Sequence, residues 1–578
     1  MKKVVGKVYN CEEIDNFRDL VERTVKKYPE KVAYKYKEFK NKKEFEYVQK
    51  TYEEFYNDIR ALSTSLLELG IEGKKVALIG ENSYCWCTTY LAVTTGNMVV
   101  VPLDKALSKK ELKNLLIRSE AEAIIFDEKF KDIVLETKLE GKSDLKYLIC
   151  MNSKKKYKDA ITYEKFLQRG RKLLDKGNNI YDNVVVDPNK MSVQLFTSGT
   201  TSEPKAVMLS QKNICSAAVG TACCAKCSPS DTLLSFLPLH HTFECTLTFL
   251  YGIYYGVTVA FCDGLRYIQQ NLKEYQVTIF VAVPLVLETM YKKIIKGIED
   301  KGKTKLIKKL SRISKILLKC KIDMRKIFFK QINDNFGGHL RAVFYGAAPM
   351  DKKTIIGYND LGIDLYQGYG LTETSPVIAT ETDKDKRPGS VGLPLYNCKI
   401  KINDPNSEGI GEVIVKGPMV MLGYYKNEEE TQKAIRDGWF YTGDYGYIDE
   451  DGFLFITGRK KETIVLNNGK NVYPQEIEFL INKLPGIVES MVYSREKTKT
   501  DTMICAKIVY DKEIFIEKYG EKAEKEYKEI VIKEIKKINE ELPIYKHVKD
   551  IILTTEPLIK TTTQKIKRFE EMKKINAK

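Results

Sequence analysis

Histidine is scarce in this chain, with four residues in 578, too few for a metal site built from several imidazoles. The thirteen cysteines do not make up for it. They are odd in number and scattered, and only Cys224 and Cys227 form a C-x-x-C, a weak zinc signal without a second pair or nearby histidines. Reduced thiols in a cytosolic protein are the expectation. Long apolar runs are missing too. The uncharged run from Cys245 to Cys262 is broken by Gly252 and Gly256. It falls short of the ~20 predominantly apolar residues that cross a bilayer, so a buried helix leading into a core strand is expected instead. After Met1-Lys2-Lys3 only Val4-Val5 precede the return of glycine and charge, which is no signal peptide. No zinc-finger spacing or RNA-binding aromatic signature is present, so no nucleic-acid partner is expected.

What is present in excess is positive charge. Lys and Arg number 95 against 78 Asp and Glu, a net charge of +17 with pI ≈ 9.0. Such a balance suits polyanionic substrates or an anionic membrane, and it is also what a lysine-rich composition alone would produce. Twelve of those cations fall in residues 301–330 beside one acid, Asp323. Ile307, Leu310, Ile313 and Leu317 recur there at helical spacing, a basic amphipathic helix. It is read either as a solvated helix packed on its own domain or as a foot on anionic lipid. At 66.4 kDa the chain is long enough for more than one domain. Apolar runs Val76–Ile79, Val99–Leu103 and Ala123–Phe126 alternate with helical patterns such as Ser108–Arg118, which argues for a parallel α/β layer. From Lys386 the texture changes to short strands with glycine turns, at Gly389–Gly392, Gly411–Val415 and Gly452–Ile456, as in a small β-barrel.

The most informative stretch is Leu195-Phe196-Thr197-Ser198-Gly199-Thr200-Thr201-Ser202-Glu203-Pro204-Lys205-Ala206-Val207. Two apolar flanks, Val193–Phe196 and Val207–Leu209, read as strands around a polar loop. Hydroxyls, a glycine and Lys205 are what a phosphate chain needs: O–H and N–H donors, close backbone approach and a cation. A Ser/Thr-rich surface hairpin has the same composition. It is not a Walker A loop, which needs G-x-x-x-x-G-K-[ST] opening a helix; Pro204 stands in the place of that glycine and Ala206 follows the lysine.

Further along come Tyr369-Gly370-Leu371-Thr372-Glu373, Tyr441-Thr442-Gly443-Asp444, Gly458-Arg459-Lys460-Lys461-Glu462 and Lys560-Thr561-Thr562-Thr563-Gln564-Lys565. With the hydroxyl loop, these five motifs in order resemble the adenylate-forming superfamily of acyl-CoA synthetases, peptide-synthetase adenylation domains and luciferase. The resemblance runs from about Asn16 to Arg568 and is greatest to long-chain fatty acid–CoA ligases. It implies an α/β fold, with a large N-terminal domain over residues 1–458 that includes the small β-barrel at about 386–458. A smaller, mobile α+β domain over 459–578 follows, joined by a hinge at Lys461.

The resemblance also implies ATP, Mg²⁺ and coenzyme A as cofactors. Thr197, Ser198, Gly199, Thr200, Thr201 and Lys205 would hold the phosphates. The turn Gly346-Ala347-Ala348 and the strand Gln367-Gly368-Tyr369-Gly370 would enclose adenine. Thr372 would meet the α-phosphate, Glu373 and Thr197 the metal, and Asp444 and Arg459 the ribose. His241 would border the acyl pocket, with His240 structural. Lys565 would be the catalytic lysine, and Asn468 and Gly469 would face coenzyme A.

The resembling amino-acid-activating enzymes usually hold an aspartate for the substrate ammonium in the stretch matching Pro238 to Thr248. None lies here, although Glu244 is a carboxylate in that stretch, and Cys245 to Tyr251 alongside is largely apolar. A medium- or long-chain fatty acid is therefore expected over an amino acid. Alternatives are an acyl-AMP ligase loading an acyl carrier protein, or a binding-only paralogue. The latter is motivated by Ser202, Ala206 and Gln564 in place of the family's glycines; where such a backbone needs positive φ, each costs about 1 kcal/mol. The expected location is cytoplasmic, peripheral on the inner membrane face if the basic helix meets lipid.

Overall fold

The computed structural model describes residues 6–39, 44–153, 155, 157–197, 204–466, 470–498, 501–560 and 566–577. Two large sheets carry the first two thirds of the chain. In the eight-stranded sheet, Gly423–Tyr424, Lys205–Ser210, Met191–Thr197, Val99–Pro102, Lys75–Ile79, Ala121–Asp127, Tyr147–Met151 and Ile161–Thr162 lie side by side. Its strands from Met191–Thr197 onward are parallel neighbours. The nine-stranded sheet has a parallel centre of Val32–Phe39, Thr258–Phe261, Thr232–Ser235, Ile279–Ala282, Ala342–Tyr345 and Asp364–Gly370. Antiparallel Phe45–Thr51 closes one edge, and Val377–Thr380 with Leu393–Pro394 the other. Strands such as Lys75–Ile79 are buried along their whole length. That is why they read as unbroken apolar runs: a parallel sheet is covered on both faces.

Helices start where the side chains dictate. Asn16 caps Phe17–Lys27 by accepting from Asp19 N at 2.8 Å, and Ser108 with Glu111 forms a capping box before Lys109–Ser119. The Cys245–Cys262 run is, as expected, a buried helix entering a strand. Its first turns, Cys245–Leu250, are π-helical, and Gly256 ends the helix before Thr258–Phe261. Among the described residues no helix is long and apolar enough to cross a membrane.

Past the second sheet, Lys399–Asn403, Gly411–Lys416 and Trp439–Ile448 form an antiparallel sheet, to whose last strand Ile435–Arg436 and Leu454–Arg459 add. It curls into a half-barrel. Gly389–Gly392, read above as one of its strands, forms no strand, although it is tied to the half-barrel where Val391 N donates to Leu454 O at 2.8 Å and Gly392 O accepts from Leu454 N at 2.9 Å.

The C-terminal part builds its own core from Val472, Ile477, Ile508, Tyr527 and Val531 among others. It stands on Ile487–Thr498, Asp501–Tyr510 and the parallel strand Asp550–Thr554. The last helix, Arg568–Asn576, is docked by charge. Buried Glu571 accepts from Lys507 Nζ and from Ile559 N, both at 2.7 Å, while Arg568 bridges Glu462 at 2.9 Å and Glu478 at 2.6 Å. Lys560 and Ile566 pair across the ends of the segment that contains Lys565.

The basic helix spans Thr304–Lys319 and packs on the core through Ile307, Leu310 and buried Ser314. Ile313, one of the four apolar positions of the helical pattern, is exposed, as are Leu306 and Ile316.

Candidate active site

The carboxyl ends of parallel strands, where ligands bind in open α/β sheets, carry His241, Gly346 and the strand end before Thr372, while Lys205, Asp444 and Arg459 come from antiparallel strands. Asn82, beyond Lys75–Ile79 of the eight-stranded sheet, joins that sheet to the nine-stranded one. Its amide donates to Ser235 Oγ at 3.0 Å and Leu237 O at 2.6 Å, and accepts from Leu239 N at 3.1 Å. It thereby shapes the turn that presents His240 and His241, whose ring centroids are 4.2 Å apart. Burial, then the charge of Lys105, pushes His240 down to about 3. It is neutral at physiological pH, in keeping with a structural role. His241 is half-buried, at the start of the helix that becomes π-helical.

Three residues on, Glu244 is fully buried beside Ser235 and Thr248, and burial pushes its carboxyl up to about 8.

The phosphate hairpin forms as read: Met191–Thr197 and Lys205–Ser210 pair with Thr197 opposite Lys205. Ser198, Gly199, Thr200, Thr201 and Ser202 lie outside the described residues. Ala206 lies within the strand, opposite Phe196, and is not among the residues with positive φ. The strain expected there if a glycine had been replaced does not arise. The strand Gly423–Tyr424, which the sequence reading passed over, pairs with Val207 and Met208. Tyr424 then joins two candidate residues. Its hydroxyl donates to Glu373 Oε1 at 3.0 Å, and Lys205 Nζ lies 4.6 Å from its ring centroid. Lys205 is also ion-paired with Glu430, and that pair, reinforced by Lys433, holds the Glu430 carboxyl down to about 2. Glu373 and Thr372 sit on the short 3-10 turn after Asp364–Gly370.

The small-residue turn is flush with its neighbour. A Cβ on Gly346 would come within 2.9 Å of Gly368 O, and one on Gly370 within 1.6 Å of Pro376 O. Gly346 is buried whereas Ala347 and Ala348 are exposed, so a flat ring has open backbone to lie against. Gln367 is largely committed to the fold: its side chain accepts from Tyr345 Oη at 3.0 Å and its N–H donates to Glu381 at 2.9 Å.

Tyr369 donates to Asp444 Oδ2 at 2.6 Å, and Arg459 Nε meets Asp444 Oδ1 at 3.1 Å. Asp444 and Arg459 face each other on paired strands, and Asp444 is 3% exposed. The carboxylate beside it keeps Arg459 firmly cationic. Lys461 is exposed on the 3-10 turn Lys460–Glu462. Asn468, Gly469 and Lys565 lie outside the described residues. Among those described, no group of three His, Cys, Asp or Glu side chains could hold a metal. Glu373 and Thr197 still offer the hard oxygens that Mg²⁺ prefers, in a site where phosphate and water would supply the rest.

A strand pair that ends at Thr197 and resumes at Lys205, a small-residue turn and a carboxylate held between tyrosine and arginine thus stand on an α/β scaffold, that of a nucleotide-binding enzyme. The chain belongs to the AMP-binding enzyme family, whose model matches residues 21–425. It is 29% identical over 492 residues to the long-chain-fatty-acid–CoA ligase FadD15 of Mycobacterium bovis, covering 79% of this chain and 77% of that protein. It is 27% identical over 594 residues to the chloroplastic long-chain-fatty-acid–[acyl-carrier-protein] ligase AEE15 of Arabidopsis thaliana, covering 90% and 80% respectively. In fold it is similar to the anthranilate CoA ligase AuaEII in complex with anthranoyl-AMP. The TM-score is 0.76 at 19% identity, over 97% of this chain and 98% of that one.

Glu244 makes a pH prediction. An acid whose pKa is raised from 4.5 to about 8 by folding binds its proton more tightly in the folded chain. Its contribution is therefore present at low pH and is lost as pH rises through that window. E244Q has no proton to lose. The thermal midpoint of the native sequence should fall between about pH 5 and about pH 8 by more than that of E244Q; parallel curves would show that the carboxyl is not desolvated.

Proposed function

We propose that this protein is an AMP-forming fatty acid–CoA ligase. A medium- or long-chain carboxylate attacks the α-phosphorus of ATP, pyrophosphate leaves, and the thiol of coenzyme A displaces AMP from the acyl-adenylate. The observation that carries this reading is the convergence of Lys205 and Glu373 on Tyr424, which gathers a phosphate-binding cation and a metal-binding carboxylate at one point. The fatty-acid ligases among the relatives support the substrate class. The experiment is pyrophosphate-dependent exchange of label into ATP over a panel of acids, followed by acceptor assays with coenzyme A and acyl carrier protein. Each buried CH₂ contributes about 0.8 kcal/mol, so apparent affinity should climb with chain length until the acyl site is filled. Equal turnover of acetate and palmitate would count against it. Preference for the carrier protein, which the AEE15 likeness suggests, would make the chain an acyl carrier protein ligase. A silent exchange reaction would make it the binding-only paralogue.

In this reading the hairpin Thr197–Lys205 wraps the triphosphate, and Gly346–Ala348 with Gln367–Gly370 holds adenine. Asp444 and Arg459 receive the ribose, Thr372 the α-phosphate, and His241 borders the acyl chain. Mg²⁺, held by Glu373 and Thr197, would neutralise phosphate charge when bound. Glu430 competes with phosphate for Lys205. An exposed ion pair contributes ~0.2–1 kcal/mol, so E430Q should tighten ATP binding by up to about fivefold in calorimetry. An unchanged or weaker affinity would show that Lys205 does not reach the phosphates.

Residues 459–578 would move as a unit about Lys461, bringing Lys565 to the first half-reaction and the Asn468-Gly469 segment to coenzyme A in the second. A carboxylate meeting a triphosphate is two anions approaching. Losing one preorganised donor there costs roughly 10²–10³ in rate. K565A should lose acyl-AMP formation by at least that factor and keep thioester formation from synthetic acyl-AMP. Equal loss of both half-reactions would assign Lys565 a structural role.

The location we assign is cytoplasmic, with the basic helix as a foot on anionic lipid. Leu306, Ile313 and Ile316 are exposed there beside Lys305, Lys308, Arg312 and Lys319. Binding to phosphatidylserine vesicles should fall as salt rises and when those four cations become glutamine. Binding indifferent to both would remove the foot.

A further inference from the structure

Phe45–Thr51 ends the nine-stranded sheet, and no described strand pairs with its outer edge. An open edge is a template for another strand, and proteins commonly blunt it with proline, a bulge or short length. This one has seven residues and no proline, and it pairs with its inner neighbour without a break from Lys50 opposite Tyr34 to Phe45 opposite Phe39. Side chains alternate between its two faces. Phe45, Tyr47 and Gln49 share a face with Lys35, Lys37 and Phe39, while Glu46, Val48 and Lys50 share the other with Tyr34, Tyr36 and Glu38.

The first face is apolar at its open end. Phe39, Phe45 and Tyr47 are 55%, 39% and 58% exposed, and they form a cluster with ring centroids 5.7 Å and 5.3 Å apart along the row. Next to Tyr47 lies a cleft of about 240 Å³, lined by Lys35, Gln49, Glu274, Tyr275 and Gln276. Its wall is fixed in place. The buried ammonium of Lys37 sits 2.7 Å from both Asp263 and Glu274, and Asn271 donates to the same two carboxylates.

The second face carries both signs of charge. Glu46 stands directly across from Glu38, and a cation on an added strand would relieve that like-charge pair. Four residues on, Lys50 makes a long, 3.6 Å ion pair with Glu54. Val48 is the centre of the strand. When two copies pair antiparallel with all seven residues overlapping, Phe45 meets Thr51, Glu46 meets Lys50, Tyr47 meets Gln49 and Val48 meets itself. Opposite charges then match twice about one two-fold axis. Tyr47 of each copy comes beside Gln49 of the other, at the mouth of its cleft. Any slip in register loses the match of Glu46 with Lys50.

We propose that two copies of this chain associate through Phe45–Thr51, paired antiparallel about Val48, so that their nine-stranded sheets continue as one. Backbone hydrogen bonds hold the strands, and the charges set the register. Five strands separate Phe45–Thr51 from Asp364–Gly370, so the two-fold axis is remote from the candidate active site.

The test is sedimentation velocity of the full-length protein over a range of concentrations. It is run on the native sequence, on E46K, K50E and E46K/K50E, and on an equimolar mixture of the two single variants. The native sequence should shift from 66.4 kDa toward twice that mass as concentration rises. Each single variant sets like charges against each other at both contacts, and should raise the dissociation constant roughly tenfold or more. The double variant should return to the native value. The mixture should associate where neither component does, because each swapped charge then meets an opposite one. Circular dichroism verifies that the variants are folded. A native protein that stays at 66.4 kDa throughout would overturn the assignment. So would association that the single variants leave unchanged, which puts the interface on another face. Association that is lost in them and restored by neither the double variant nor the mixture would overturn it as well.

Discussion

Asp444 is the point through which three parts of the molecule hold together. A carboxylate 3% exposed is untenable without partners, because desolvation penalises the charge far more than any single contact rewards it. One oxygen is satisfied by Tyr369, from the strand Asp364–Gly370 of the nine-stranded sheet. The other is satisfied by Arg459, where the half-barrel ends and the C-terminal part begins. Remove the carboxylate and a buried phenol and a guanidinium lose their partner together. In the proposed function the same carboxylate would also accept from the sugar hydroxyls.

The phosphate side is organised differently, by pairing of distant strands. Gly423–Tyr424 reaches Lys205–Ser210 as a short edge strand, and the tyrosine it delivers touches both Lys205 and Glu373. A single aromatic ring thus sets the spacing between a cation and an anion that come from segments far apart in the chain. The lysine is also ion-paired with Glu430.

Much of this was legible in the residue order, and the reason differs from case to case. Lys75–Ile79 and Ala342–Tyr345 are buried on both faces, so their composition alone announces them. The hairpin about Lys205 and the turn after Tyr345 were legible because their chemistry is local: hydroxyls in a row, or small residues where a backbone must be approached. Tyr424, Glu430 and Asn82 were not, because each acts through a partner distant in the chain. The π-helical start of Cys245–Leu250 was equally silent, since a change in hydrogen-bond register leaves no mark in an uncharged, buried run. Ala206 misled in the other direction: its difference from the family pattern suggested strain that a β-strand never imposes. The basic helix showed its period but not which side of it faces solvent, because Ile313 fits a packed stripe and an exposed flank alike.

The turn Lys460–Glu462 has a mechanical consequence. Lys460 is tied backward to buried Glu412 at 2.7 Å, and Glu462 forward to Arg568 at 2.9 Å. Lys461 stands exposed between the two ties. If the C-terminal part swings as proposed, the turn is a pin between two tethered arms, and a motion that kept both ion pairs would be shared between the backbone of Lys460–Glu462 and the side chains that tie it.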